Sequence, residues 1–279
     1  LAGRDGRRGV VTTGAAPGVG PFEGLHNFRD LGGLPAGPGL RVRAGCVYRS
    51  DALHRMTGAD VVALGALGLV SVVDLRAPDE VAHVGTGRID DLGARYHNLP
   101  TRPAVLGADA PDGGPSSAPE RYLGYLDEGP GCFAGLARLL ADPAATPVVF
   151  FCNAGKDRTG VAAAMVLGIL GVPDDVVAAD YARTQAALDA IRAASHRDYP
   201  ADVRAWRNLS PDMAHARAET MTAFLALLRD RHGGWTQYLA GLGVEEATLA
   251  AVRANLREPD PGPDPGPDAG SVTPRGARA

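Results

Sequence analysis

The chain has 279 residues, 45% of them hydrophobic, enough apolar material for one large core. Its 28 Lys and Arg stand against 32 Asp and Glu, a formal net charge of −4. That balance argues against nucleic acid as a partner and against a broad hold on anionic lipid. Cys46, Cys132 and Cys152 are too few and too scattered for a disulfide framework, and the absence of a CxxC pair argues against zinc. A reduced, cytoplasmic chain is the expectation.

Taken in chain order, residues 1–20 are rich in Gly and Arg and read as a disordered tail. Arg4, Arg7 and Arg8 precede no apolar stretch, so a classical secretory signal is not expected. The chain starts at Leu1 and not at Met, which is compatible with an upstream segment having been removed and with export by a non-classical route. β-rich runs follow at 42–48, 70–75, 95–99 and 148–152, alternating with helical patterns, the mark of an α/β sheet. Thr57-Gly58-Ala59-Asp60 predicts a capped helix that ends near Gly65–Gly68 and feeds the strand at Val70. The stretch from Pro100 to Pro119 holds five prolines and no periodicity, so it reads as a long loop flanking the site. Residues 161–172 form the longest apolar run, a buried helix well short of the roughly 20 residues of a membrane span. Insertion into a membrane is not expected.

Residues 174–194, 211–231 and 244–257 carry apolar residues at helical spacing, giving a helical C-terminal half. Between the first two, 195–209 is polar and reads as mobile. From Glu258 onward the repeated Pro, Gly and Asp predict a second disordered tail, so one folded domain is expected over 21–257.

The chemistry lies between the strand Val148-Val149-Phe150-Phe151 and the buried helix. Cys152 and Arg158 are separated by five residues, Asn153-Ala154-Gly155-Lys156-Asp157, and the chain enters a helix at about Thr159. A phosphate needs several donors converging on its oxygens with a nucleophile behind phosphorus. Backbone N–H groups from Asn153 through Arg158 can supply the cradle, the helix N-terminus adds its dipole, and Arg158 adds a bidentate clamp. The same positive setting favours thiolate, the nucleophilic form of cysteine, at Cys152. Thr159 is placed to donate to that thiolate. The bland alternative makes Cys152 a small buried hydrophobe and Gly155 a turn residue. A Walker A loop is excluded, because Gly155-Lys156 is followed by Asp157 and Phe150 stands at the first glycine position.

Leaving-group protonation needs an acid. Asp157 is the first candidate, with loop stabilisation as its alternative role. Asp74, ending a neighbouring strand, is the second, and there an arginine partner that steadies the loop is at least as good a reading. Asp109, Asp112 and Asp127 are weaker candidates. Lys156 adds charge beside the phosphate or is simply a solvated lysine. Arg76 and Glu80, at helical spacing, read as a structural ion pair, and Arg29-Asp30 as scaffold. The seven histidines, His97, His196 and His215 among them, show no paired ligand spacing, so neither a metal nor another cofactor is expected.

Cys152 to Gly160 resembles the signature of the bacterial tyrosine-protein phosphatase family that includes a mycobacterial secreted triple-specificity phosphatase. Asn27-Phe28-Arg29-Asp30-Leu31-Gly32-Gly33, Tyr48-Arg49-Ser50-Asp51-Ala52-Leu53, Val73-Asp74-Leu75-Arg76 and Asp180-Tyr181-Ala182-Arg183-Thr184 are similar to further motifs of that family, as is the segment from Gly233 to Gly243. The resemblance spans roughly 22–257. It implies a dual-specificity-phosphatase-like α/β fold, with a central, mostly parallel sheet flanked by helices. It also implies metal-free hydrolysis of phosphotyrosine through a cysteinyl phosphate, with phosphoserine, phosphothreonine and phosphoinositides as further substrates. An acid or activating role at Asp157 belongs to the same implication. Phe151 departs from the pattern, since the family usually has histidine before the nucleophile. Two other functions stay open: the same chemistry on a small phosphorylated metabolite, and a phosphate-binding module without turnover.

Overall fold

The computed structural model describes residues 22–102, 117–198 and 211–262. Its centre is a five-stranded sheet built from β1 (Arg29–Asp30), β3 (Val47–Ser50), β4 (Ser71–Asp74), β5 (Arg95–Asn98) and β6 (Val148–Phe151), in the order β1-β3-β6-β4-β5. Only the β1–β3 pair is antiparallel. The expected α/β class and mostly parallel sheet are therefore what the chain forms. β6 is the middle strand and is buried throughout, as a strand covered on both faces must be. Phe150 and Phe151 leave it in opposite directions, the first into a core shared with the C-terminal helices, the second into a smaller core with Tyr48, Leu53 and Leu64.

Helix α1 (Gly58–Gly65) begins with the expected cap: Thr57 accepts from the Asp60 backbone N–H, and the Asp60 carboxylate accepts from that of Thr57. Helix α2 (Pro78–Val84) follows β4, and α3 (Ala118–Glu128) and α4 (Pro130–Ala141) precede β6. Helix α5 (Asp157–Ile169) is buried from Thr159 to Leu167 and runs through the middle of the larger core. Around it lie α6 (Asp174–Ala182), α7 (Leu188–Asp198), α8 (Pro211–Ala214), α9 (Ala218–His232), α10 (Trp235–Gly241) and α11 (Glu246–Leu256), the helical C-terminal half. Among the described residues no helix is long and apolar enough to cross a membrane.

Four boundaries differ from the sequence expectations. The run 42–48 is split: β2 (Leu40–Val42) ends before a turn in which Gly45 takes a φ of 73° and donates its N–H to Asp30 at 2.7 Å. Only glycine holds that backbone without strain, so the strand cannot run through. The helical pattern at 174–194 breaks into α6 and α7 at a 3-10 turn, Arg183–Ala187, and α7 extends through Asp198 into the stretch read as mobile. The pattern at 211–231 breaks between α8 and α9. Glu258 is not the start of a tail: β7 (Arg257–Pro259) pairs with β2, and Arg41 Nε meets Glu258 at 2.7 Å. The two tails as far as residue 21 and from 263 onward, most of the long loop (103–116) and residues 199–210 lie outside the described residues.

Candidate active site

Parallel pairing brings three chain reversals to one edge of the sheet. Phe151 is in register with Ser50 on one side and Asp74 on the other, so the segments after β3, β4 and β6 emerge side by side. This is where open parallel sheets bind their ligands. Cys152, the first residue past β6 and almost fully buried, lines a cavity of about 220 Å³. Asn153, Ala154, Lys156, Asp157 and Arg158 line it too. Opposite them stand Arg102, Arg121 and Tyr125, together with Leu188, Ile191 and Arg192 of α7 and Met213 and Ala214 of α8.

The loop's carbonyls are bound from the sheet side. Asn153 O accepts from Ala52 N (3.2 Å) and Arg55 (3.3 Å), and Gly155 O accepts from Arg49 (2.8 Å) and Asn27 (2.9 Å). Asn27 also reaches Ala154 O at 3.5 Å. In a trans peptide the C=O and the following N–H point oppositely. Carbonyls tied outward at 153–155 therefore turn the N–H groups of Ala154, Gly155 and Lys156 toward the cavity, the anion-binding nest expected for this loop. Gly155 makes the turn with a φ of 63°, and a Cβ there would lie 2.5 Å from Ser50 O. No other residue fits between the loop and β3.

Arg158 enters α5 on its first turn and is clasped by Glu80, with one nitrogen 2.9 Å from Oε1 and the other on Oε2. Glu80 is itself fixed through the Ala77 N–H at 2.9 Å. Burial opposes the ionisation of Glu80, but the Arg158 guanidinium outweighs it and holds the carboxyl below its usual range. Among the described residues two of the five guanidinium N–H donors are engaged, which leaves three for a phosphate. Deeper in, Asp180 bridges Arg29 (2.8 Å) and Arg49 (2.7 Å), all three buried. Burial would raise the Asp180 carboxyl, and the two arginines drive it far below the carboxylate range instead. Arg49 and Arg158 both lie within electrostatic reach of Cys152.

On the outer side, Asp198 at the end of α7 accepts from Arg55 (2.7 Å) and contacts His54 Nε2 (3.0 Å). His54 Nδ1 faces Arg76 at 2.9 Å. An arginine only donates, so Nδ1 accepts and the proton sits on Nε2, directed at Asp198. Burial, then the Arg76 charge, pulls His54 down to about 4, which keeps this neutral tautomer at ordinary pH.

The expected site residues separate into two groups. Cys152, Asn153, Ala154, Lys156, Asp157 and Arg158 share one cavity, with Gly155 as its turn. Lys156 is buried, 3.2 Å from Asp157 and 2.5 Å from Met213 O, so it is not a solvated loop lysine. Asp157 also accepts from the Tyr122 hydroxyl. Thr159 departs from expectation: its hydroxyl is buried and bonds to nothing among the described residues, Cys152 included. The helix starts at Asp157, two residues early, and carries Thr159 into the core.

Asp74 takes its arginine-paired role. It is fully buried, held by Arg76 (2.6 Å) and Tyr96 (2.9 Å), and does not line the cavity. The expected Arg76–Glu80 pair gives way to Arg76–Asp74 and Arg158–Glu80, with Arg76 only a further positive charge near Glu80. Asp127 pairs with Arg231 away from the cavity, and Asp109 and Asp112 lie outside the described residues. Phe151 packs in the smaller core with the Arg76 guanidinium 5.3 Å over its ring. Residue-by-residue reading gave no role at the site to Asn27, Arg49, Arg55, Glu80 or Asp180. The signal that could have found four of them is their place in the Asn27, Tyr48 and Asp180 motifs or just beyond.

The sequence profile of the tyrosine phosphatase family matches residues 20–258. The triple specificity protein phosphatase PtpB of Mycobacterium tuberculosis is 29% identical over 274 residues, 84% of this chain and 97% of the relative. A tyrosine-protein phosphatase of Nostoc commune is 30% identical over 270 residues, 90% of each chain. With the signature loop set at the end of the middle strand and the match running from the first described residues to β7, the chain belongs to the tyrosine phosphatase family and is a phosphoric monoester hydrolase.

Proposed function

We propose that the chain hydrolyses phosphotyrosine, with phosphoserine, phosphothreonine and phosphoinositides as further substrates, through a phosphorylated Cys152. The observation that carries this reading is the position of Cys152 beneath inward-facing N–H groups, beside Arg158 with three donors to spare. The thiolate attacks phosphorus, and the S–P bond forms as the P–O bond breaks. Asp157 protonates the departing oxygen. Water then attacks phosphorus, gives its proton to Asp157, and the S–P electrons return to Cys152. Arg158 and the loop amides hold the three equatorial oxygens throughout. Neither step calls for a metal. Three unpaired cysteines suit a reducing compartment, the cytoplasm.

The test is hydrolysis of an aryl phosphate with and without chelator. Release that chelator leaves unchanged and Cys152→Ser abolishes, with a phosphate adduct trapped on the Cys152 peptide, is the expected result. No release from the intact protein would make the chain a phosphate-binding module and sink the proposal. A second reading, a small metabolite with an additional anionic group, draws on the three arginines, Arg102, Arg121 and Arg192, facing one carboxylate across the cavity. Specificity constants across phosphopeptides, phosphoinositides and nucleotides divide the two, and a metabolite favoured by orders of magnitude would replace phosphotyrosine.

A further inference from the structure

Asp157 is held by hydroxyls that no step above uses. Tyr122, on α3, donates to Asp157 Oδ1 at 2.5 Å, and the hydroxyls of Tyr122 and Tyr181 meet at 2.6 Å. An ionised carboxylate only accepts, so the single Tyr122 proton goes to Oδ1 and the Tyr181 proton goes to Tyr122. Lys156 Nζ stands 3.2 Å from that same Oδ1. The Tyr122 hydrogen bond and the Lys156 ion pair thus meet on one oxygen, while Oδ2 has no hydrogen-bond partner among the described residues. Protonating the carboxyl leaves this order intact: Oδ1 keeps accepting, and the proton rests on Oδ2.

The two tyrosines are held by packing. Tyr122 and Tyr181 are both buried, their rings edge to face at 6.1 Å, with Phe224 against Tyr122 at 5.9 Å. Burial, then the Asp157 charge, pushes both phenols up, so both stay protonated donors across the working range. The signature itself makes room for the pair. A Cβ on Gly160 would come within 2.9 Å of the Tyr181 ring, so the glycine that ends Lys-Asp-Arg-Thr-Gly lets α5 pack against it. Asp157 and Gly160, one turn apart on α5, thus face one tyrosine each, Asp157 the Tyr122 hydroxyl and Gly160 the Tyr181 ring, and the two hydroxyls are bonded to each other.

We infer that Tyr122, backed by Tyr181, is a positioning residue for Asp157, fixing the carboxyl rotamer and reserving Oδ2 for the proton passed to the leaving group. The inference rests on Asp157 being the acid. In the first step the Oδ2 proton moves to the leaving oxygen as its bond to phosphorus breaks. In the second, Oδ2 receives a proton from the attacking water, and neither phenol gains or loses one.

The test compares kcat/KM for 4-nitrophenyl phosphate, whose leaving group needs little protonation, with that for phenyl phosphate, whose leaving group needs more. Wild type, Asp157→Asn, Tyr122→Phe, Tyr181→Phe and the double variant Asp157→Asn/Tyr122→Phe are assayed, with thermal unfolding to confirm folding. The Phe substitutions keep the ring packing. Asp157→Asn is expected to lose about tenfold or more extra activity on phenyl phosphate. Tyr122→Phe should show the same selective loss at about three- to tenfold, Tyr181→Phe a smaller one, and the double variant no more selectivity than Asp157→Asn alone. Equal loss on both substrates, or no loss, in Tyr122→Phe while Asp157→Asn is selective would overturn the positioning role and leave the acid in place. An unselective Asp157→Asn would overturn the acid assignment and the inference with it.

Discussion

The two sides of the signature loop are built differently. On the sheet side Asn27, Arg49, Arg55 and Glu80 are buried or nearly so, and each is tied by hydrogen bond or ion pair to a loop atom. On the helix side the cavity is lined by residues of α7 and α8, mixing the apolar Leu188, Ile191 and Met213 with the partly exposed Arg192. The sheet side fixes the positions of donors that any phosphate ester meets alike. The helix side touches whatever the phosphate is attached to. Chemistry and selectivity therefore rest on different elements, and substitutions on the two sides should fail in different ways.

The largest effect is expected furthest from the substrate. Asp180→Asn leaves Arg29 and Arg49 buried without their counter-charge, and breaking such a pair costs about 3–5 kcal/mol. Urea unfolding at neutral pH measures it. The same carboxylate predicts an acid limb. Its folded value is depressed, so its contribution is complete above the unfolded value of about 3.9 and drains away as pH falls from there toward the folded value. The slope of stability against pH below about 4 should be shallower in Asp180→Asn than in wild type. An equal slope would mean that Asp180 does not carry this charge.

Glu80→Gln comes next and acts on the reaction more than on the fold. Losing the charge-assisted bonds costs about 1.5–3 kcal/mol of stability. The larger consequence is a guanidinium free to shift by about an ångström, enough to lower kcat/KM about a hundredfold. Steady-state kinetics on an aryl phosphate, with inorganic phosphate inhibition alongside, would reveal both. Full activity in this variant would show that Glu80 anchors the helix and not the clamp.

The loop was legible in the sequence because its chemistry is local: a strand, five residues and a helix start fix where Cys152, Gly155 and Arg158 must go. The sheet was legible for the same reason, since apolar runs such as 148–151 and the Thr57 cap act within a few residues. What escaped was long-range. Glu80 and Arg158 are 78 residues apart, and Arg49 and Asp180 131, and nothing in their spacing announces the pairs. Arg76 was misassigned because i, i+4 spacing to Glu80 fits a helical ion pair, whereas the partner it takes is the buried Asp74 at the end of the preceding strand. Thr159 was misplaced by a two-residue error in the helix start, which decides whether a side chain faces the cavity or the core. Glu258 was lost to composition, because Pro and Gly nearby masked three residues that pair with β2.

The smallest effect is expected at Arg192, and it sharpens the contrast most. Its side chain is one-third exposed and bridges Asp189 on its own helix and Ala214 O on α8, so its removal should change stability by no more than about 0.5 kcal/mol. It touches neither the loop carbonyls nor Glu80, and kcat on 4-nitrophenyl phosphate should not move in Arg192→Ala. KM for a substrate with a second anionic group should rise about two- to fivefold, the value of one exposed ion pair, and the difference from wild type should vanish at high salt. KM for an aryl phosphate with no second charged group should stay the same. A fall in kcat comparable to that of Glu80→Gln would erase the division, because it would mean that α7 and α8 hold the phosphate itself and not what is attached to it.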